Sequence, residues 1–256
     1  MEQIEHLDHR RTVRSRTILD RRPSAALWKP RLHFLDVGET GGDVVRAALG
    51  GGHADGADHV VVLHGHSATM LDLPVGDALF LCLRDPVSRF VAAFQRRLQE
   101  GRTHPELAHT AEEAQAFARY PTPMALGEAL AQDPTPTEVG EAVSDDPAAG
   151  AMHAIRFVRD RSIDWVGGWE RFEVAADEGR IYAVLRSEEL EATLPTLLGS
   201  LGLPVPEGIV VPDHLRSAPV DELLSPTAVM NLRRWFAPEE ALLERCRRLG
   251  LVWTAS

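Results

Sequence analysis

Three short segments of this 256-residue chain combine residue types that can hold a phosphate or sulfate group and move a proton beside it. Gly38-Glu39-Thr40-Gly41-Gly42-Asp43 is a glycine turn just ahead of an apolar, helix-forming stretch. Backbone N–H groups in such a turn, with the positive end of the helix dipole, can cradle an anion. Sterics alone can equally require glycine there. Arg84-Asp85-Pro86-Val87-Ser88-Arg89-Phe90 places two arginines and a serine around a second turn. His64-Gly65-His66 is the third segment, and its imidazoles have the side-chain pKa suited to proton transfer near neutrality. His66 is the first choice of base and His64 the second. The alternative is a pair of histidines bonded to backbone at a sheet edge.

These residues sit at the ends of predicted elements. Leu32 to Val37, His59 to Leu63, Ala78 to Leu83 and Ile181 to Leu185 read as strands, and Ala78 to Leu83 is apolar throughout, as in a strand covered on both faces. Val44 to Leu49 suits a helix stopped by Gly50-Gly51-Gly52. Asp85 is a good N-cap, Pro86 fits the first helical position, and Val87, Phe90, Val91, Phe94 and Leu98 recur at helical spacing. That stripe leaves Arg96 and Arg97 on the solvated face. Thr110 and Glu113 form a capping-box pattern, 132–147 reads as an exposed loop, and a helix is expected over Ala148 to Arg161. Further helices are expected from Ser187 to Leu201 and from Ser225-Pro226 onward, the last ending at Gly250. Arg233-Arg234 and Arg247-Arg248 fall in last helical turns, and Trp165, Trp169 and Trp235 read as packing residues. Alternating strands and helices imply one α/β domain over 31–256, a mostly parallel sheet flanked by helices, preceded by a partly ordered arm over 1–30. In such sheets ligands bind beyond the carboxyl ends of the strands, where all three segments fall.

The glycine turn is not the nucleotide P-loop pattern, which needs Lys-Ser/Thr where this chain has Asp43-Val44. It resembles instead the Lys-Thr-Gly-Gly-Thr loop of sulfotransferases that use 3′-phosphoadenosine 5′-phosphosulfate (PAPS), in particular bacterial, carbohydrate-type members. Arg84 to Phe90 is similar to that family's 3′-phosphate signature, and Leu185 to Leu190 and Leu198 to Pro204 resemble its later strand-to-helix and Leu-Gly-Leu-Pro segments. The resemblance spans roughly residues 32 to 250. It implies a P-loop-like sulfotransferase fold and PAPS as donor, held by Gly38, Thr40, Gly41, Gly42, Asp43, Arg84, Ser88 and Arg89. It also implies transfer of a sulfuryl group to a hydroxyl or amine of a small-molecule or carbohydrate acceptor.

Three positions depart from the family pattern. Glu39 stands where the loop lysine is expected, Asp43 where a threonine donates to the 5′-phosphate, and Ala92 where a serine contacts the 3′-phosphate. A carboxylate about 4 Å from a phosphate costs roughly 4 kcal/mol at an effective dielectric near 20, about a thousandfold in affinity. Three readings therefore stay open. The chain is a PAPS-dependent transferase in which Arg46 or an arginine of 10–16 replaces the lysine; or an enzyme with a changed donor or reaction in which Glu39 is a catalytic acid/base or binds a cationic substrate; or a non-catalytic binding protein. A metal held by Asp36, Glu39, Asp43 and His64 is not favoured, because their spacing matches no metal loop.

The charge sum bounds the partners. With 27 Lys+Arg against 38 Asp+Glu the net charge is −11, which argues against gripping nucleic acid through its phosphates or adhering to anionic lipid. No apolar run approaches the ~18 residues of a membrane span, and 1–22 lacks the apolar core of a signal peptide. Two cysteines give no disulfide framework and no metal spacing, and Cys82 reads as a buried thiol. A cytoplasmic location is the expectation.

Overall fold

The computed structural model describes residues 29–51, 53–130, 146–212, 215 and 220–255. The expected arm, apart from residues 29 and 30, and nearly all of the expected 132–147 loop lie outside the described residues.

Five strands form one sheet. β1 (Arg31–Leu35), β3 (Val60–Leu63), β4 (Ala78–Leu83) and β5 (Ile181–Arg186) run parallel, and β2 (His53–Asp55) is antiparallel to β3 at the edge. The order is β2-β3-β1-β4-β5. All six residues of β4 are buried, as a strand covered on both faces requires. The three residues of β2, without an apolar pattern, carry no strand signal, and their pairing to β3 is a tertiary event.

Period-two alternation sends side chains to opposite faces. Leu32, Phe34 and Phe80 pack under α1 (Gly42–Ala48) and α8 (Leu190–Ser200). Leu35, Leu79 and Leu81 pack instead against α6 (Ser162–Trp165), α7 (Trp169–Asp177) and α11 (Ala237–Arg248). A third cluster contains no strand residue. It gathers the apolar stripe of α2 (Pro86–Thr103) with α3 (Ala111–Arg119), α4 (Pro123–Ala129), α5 (Pro147–Ala154) and α10 (Pro226–Trp235), while the short α9 (Val220–Leu223) lies at its border.

Several local expectations hold. Asp85 accepts from the Ser88 N–H at 2.9 Å to cap α2, Thr110 and Glu113 make both bonds of a capping box, and Gly250 ends α11 at φ +67°. Others shift. The helix expected from Ala148 to Arg161 stops at Ala154, because Phe157 adopts φ +69° and the Arg156 N–H turns aside to the Glu113 carboxylate at 3.1 Å. Ser187 to Glu189 form a single 3-10 turn before α8 begins. Trp169 is 38% exposed rather than packed away. Arg97 is 4% exposed and pairs with Glu113, since α3 folds back over the face of α2 that sequence periodicity leaves to solvent. Cys82 is fully buried, and burial pushes its thiol far above the usual range.

Candidate functional site

From β1 the chain crosses to β3 on one side and then to β4 on the other, so the carboxyl ends of β1 and β4 open a crevice at the switch point. The glycine turn follows β1 and the arginine turn follows β4, so the two signature segments form opposite lips of that crevice.

The glycine turn is held from within. Thr40 Oγ1 donates to the Val37 carbonyl at 2.8 Å, and the Ser187 hydroxyl donates to the Thr40 carbonyl. Gly41 starts α1 at φ +100°, a conformation that favours glycine. At Gly42 the reason for glycine is close approach: a Cβ would lie 1.6 Å from Asp36 Oδ1. Glu39 is itself left-handed at φ +63°. Its side chain is buried and accepts from Arg96 Nη1 at 2.8 Å.

On the other lip, Arg84 is 4% exposed, and its Nη1 reaches the Glu39 carbonyl at 3.4 Å. Burial pulls its pKa down, against the nearby carboxylates of Glu188, Glu39 and Asp85. Glu188 also accepts from the Asp85 N–H at 2.8 Å, while Asp85 pairs with Arg233 at 3.0 Å. Burial raises the Asp85 pKa, but the Ser88 N–H and Arg233 outweigh it and hold the carboxyl below its ordinary value. Arg89 points elsewhere. Its guanidinium donates to the Asp160 carbonyl and lies 6.0 Å from the Phe236 ring centroid.

A cavity of about 440 Å³, within the range of small-ligand sites, begins at these lips and runs along α2 as far as His104, with Val220 and Leu223 of α9 on its wall. Asp43, Arg84, Ser88, Ala92, Arg96 and Gln99 are among its walls. Of the sequence-predicted donor residues it therefore brings Asp43, Arg84 and Ser88 together, with Ala92. Gly38, Thr40, Gly41 and Gly42 lie behind it in the turn, and Arg89 lies in the helical cluster.

Arg96 is the residue that sequence reasoning missed. It bonds Glu39 through Nη1 and Glu100 through Nε, each at 2.8 Å, and its guanidinium lies 5.4 Å from the Phe157 ring centroid. Glu39 and Phe157 are the two non-glycine residues with left-handed backbone among the described residues, and both hold Arg96. A signal existed. Ser88, Ala92 and Arg96 are spaced by four, which puts them on one face of α2.

The histidines lie at the end of β3, on the far side of β1 from β4. His66 Nδ1 is 3.1 Å from the Asp36 carbonyl and 3.5 Å from Asp36 Oδ1, and its backbone carbonyl accepts from Trp165 Nε1. The Asp36 pKa is raised by burial, in opposition to His66 and Arg46. Arg46 donates to Asp36 Oδ2 and to the His64 carbonyl, each at 2.9 Å, so it braces the strand ends. The 10–16 arginines lie outside the described residues. His64 Nε2 meets His33 Nδ1 at 2.8 Å, and burial followed by that second imidazole lowers the His64 pKa. Asp36 and Glu39 each face an arginine, and among the described residues no cluster of three or more His, Cys, Asp or Glu could hold a metal. Among those residues no helix is long and apolar enough to cross a membrane. Comparison with protein-family models, curated proteins and solved structures finds no match for this chain.

Proposed function

We propose that the chain is a sulfotransferase-like protein that holds a PAPS-type nucleotide in the β1/β4 crevice and passes a sulfuryl group to a hydroxyl of a small-molecule or carbohydrate acceptor. One observation carries this reading: Asp43 from the glycine turn and Arg84 and Ser88 from the arginine turn wall a single cavity of about 440 Å³ at the switch point.

PAPS would supply a sulfuryl group carried on a phosphate leaving group. The chain's own contribution is electrostatic first. Arg84, positioned by burial and by the Glu39 carbonyl, and Arg96, held at the cavity wall, would oppose the negative charge of phosphate and sulfate oxygens. Ser88 offers a hydroxyl on the same helical face, four residues from the alanine that replaces the family's serine. His64 or His66 would take the proton of the acceptor hydroxyl. Glu39 would act as a positioning residue: bound to Arg96, it meets an anion as half of an ion pair, which removes most of the repulsion a bare carboxylate would impose.

The same ion pair favours a second reading, a binding protein without turnover, since it ties down the side chain at the position of the family's lysine. Thermal unfolding with 3′-phosphoadenosine 5′-phosphate tests both. At a hundred times its dissociation constant the ligand adds about 2.7 kcal/mol, on the order of 5 to 10 °C for a domain of this size. Arg84→Met is expected to abolish the shift. No shift with wild type at millimolar ligand overturns the nucleotide reading. Binding without consumption of PAPS across a panel of hydroxyl acceptors selects the second.

A further inference from the structure

Apart from the cavity, one chain of titratable groups runs along the face of the sheet. His33 lies within β1, buried, with its side chain 4% exposed. Its Nε2 is 3.1 Å from Asp77 Oδ2, just before β4, and its Nδ1 is 2.8 Å from His64 Nε2, just after β3. Asp77 is also buried, at 9% side-chain exposure, while His64 is half-buried. The three groups join the amino end of β4 to the carboxyl end of β3 across the middle of β1.

We infer that Asp77 and His33 are positioning residues that hold His64 in one tautomer, leaving His64 Nδ1 as a proton-accepting nitrogen at the carboxyl end of β3. The direction of the bonds follows from donor and acceptor capacity. An ionised carboxylate only accepts, so His33 Nε2 carries hydrogen and donates to Asp77. Neutral His33 then has a lone pair at Nδ1, which accepts from His64 Nε2–H. Neutral His64 therefore keeps its lone pair at Nδ1, and no described residue engages that nitrogen. The charged and titratable groups around His64 are His33 on β1, Asp72 on the turn Met70–Asp72, and Arg46 on α1, which bonds the His64 carbonyl. Because Arg46 also grips Asp36 beneath the glycine turn, His64 is tied to the same strand end as that turn.

The proton step balances simply. A hydroxyl O–H bond breaks, its electron pair stays on oxygen, and an N–H bond forms at His64 Nδ1. The imidazolium is then stabilised through His33 by the Asp77 carboxylate, with no need for either ring to turn. The inference rests on the transferase reading only for the source of that proton, a hydroxyl of the acceptor.

Side-chain nitrogen NMR on the ¹⁵N-labelled full chain tests the arrangement without any ligand. The expected result is hydrogen on Nε2 of both His33 and His64, with Nδ1 of His64 bare. Hydrogen on His64 Nδ1 overturns the inference. Bromoacetamide gives a second readout, since a bare accessible nitrogen displaces bromide and keeps the carboxamidomethyl group. Modification of His64 at Nδ1 is expected, with a rate that rises as the ring loses its proton. Removing the acceptor in Asp77→Ala should slow that reaction on the order of 10-fold or more through loss of the reactive tautomer. Asp72→Asn, which leaves the chain of bonds intact, should preserve the tautomer. Modification at Nε2, or an unchanged rate in a folded Asp77→Ala, also overturns it. If Asp77→Ala does not fold, the wild-type tautomers and modification site still decide. Failure to bind 3′-phosphoadenosine 5′-phosphate would remove the transferase reading and leave these measurements standing.

Discussion

Glu39 combines two unfavourable features, a left-handed backbone and a buried carboxylate, and Arg96 compensates the second with a 2.8 Å bond. A β-carbon at positive φ costs on the order of 1 kcal/mol, so the rest of the turn must enforce the conformation. Thr40 does so through the Val37 carbonyl and Ser187 through the Thr40 carbonyl. Two substitutions separate shape from charge here. Glu39→Gln keeps the size of the side chain, removes its negative charge and frees one side of Arg96. Calorimetric titration should then show 3′-phosphoadenosine 5′-phosphate binding about tenfold tighter, or about 1.4 kcal/mol. Arg96→Met leaves Glu39 without its cation and should weaken the same ligand by at least about tenfold, the scale of one charged hydrogen bond. Equal affinities in all three proteins would place the ligand away from Arg96.

At the scale of elements, α2 and α3 are joined by a buried ion pair that simple amphipathicity hides. Glu113 accepts from Arg97 Nε at 2.6 Å and also from Arg97 Nη2, while the Thr110 and Arg156 N–H groups fill its remaining sites at 2.9 and 3.1 Å. Burial alone would raise its pKa, but Arg97 and the two N–H groups prevail and bring it down to about 2. The folded value is thus below the ordinary one. The associated stability is complete above the ordinary carboxylate range and is lost as pH falls towards about 2. Glu113→Gln strands Arg97 in the interior and is expected to cost about 3 to 5 kcal/mol in urea unfolding at neutral pH. The gap between wild type and variant should narrow steadily as the pH is taken down from about 4.5, the ordinary value, to about 2. A gap independent of pH would show that packing, and not charge, joins these helices. Arg96 and Arg97 are neighbours in sequence with separate partners, because α3 covers one side of α2 and the glycine turn meets another.

For the whole molecule, the sheet is finished by the far end of the described chain. The Val184 N–H donates to the Leu251 carbonyl and the Trp253 N–H donates to the Val184 carbonyl, both at 2.9 Å, so residues 251–253 lie along β5. Trp253 Nε1 donates to Thr196 Oγ1 at 2.8 Å and the ring stacks on Tyr182, tying this segment to α8. Removing 251–256 would uncover that edge, and bare edges pair with other chains. Light scattering should report concentration-dependent association, and the midpoint of thermal unfolding should fall. Affinity at the β1/β4 crevice should be unchanged, since β5 lies one strand beyond it. Intact monomers after truncation would mean that α11 protects β5 unaided.

The amino-acid sequence by itself determined the four parallel strands, the caps at Asp85, Thr110 and Ser225, and the two turns that edge the crevice. These depend on interactions within a few residues: alternation, helical spacing, a capping oxygen, a glycine where a Cβ would collide. Only the tertiary structure decided which charges meet. Arg96 reaches Glu39 across 57 positions and His33 reaches Asp77 across 44, while Arg89 turns from the cavity to the Asp160 carbonyl 71 positions away. Local pattern gives an arginine a helical face but not the element packed against it. The partner is set by the order of the strands and the path of α3 and α6 over the sheet and α2. Buried charge must be matched wherever packing places it, and that requirement turned an acidic glycine turn into one half of an ion pair beside a cavity.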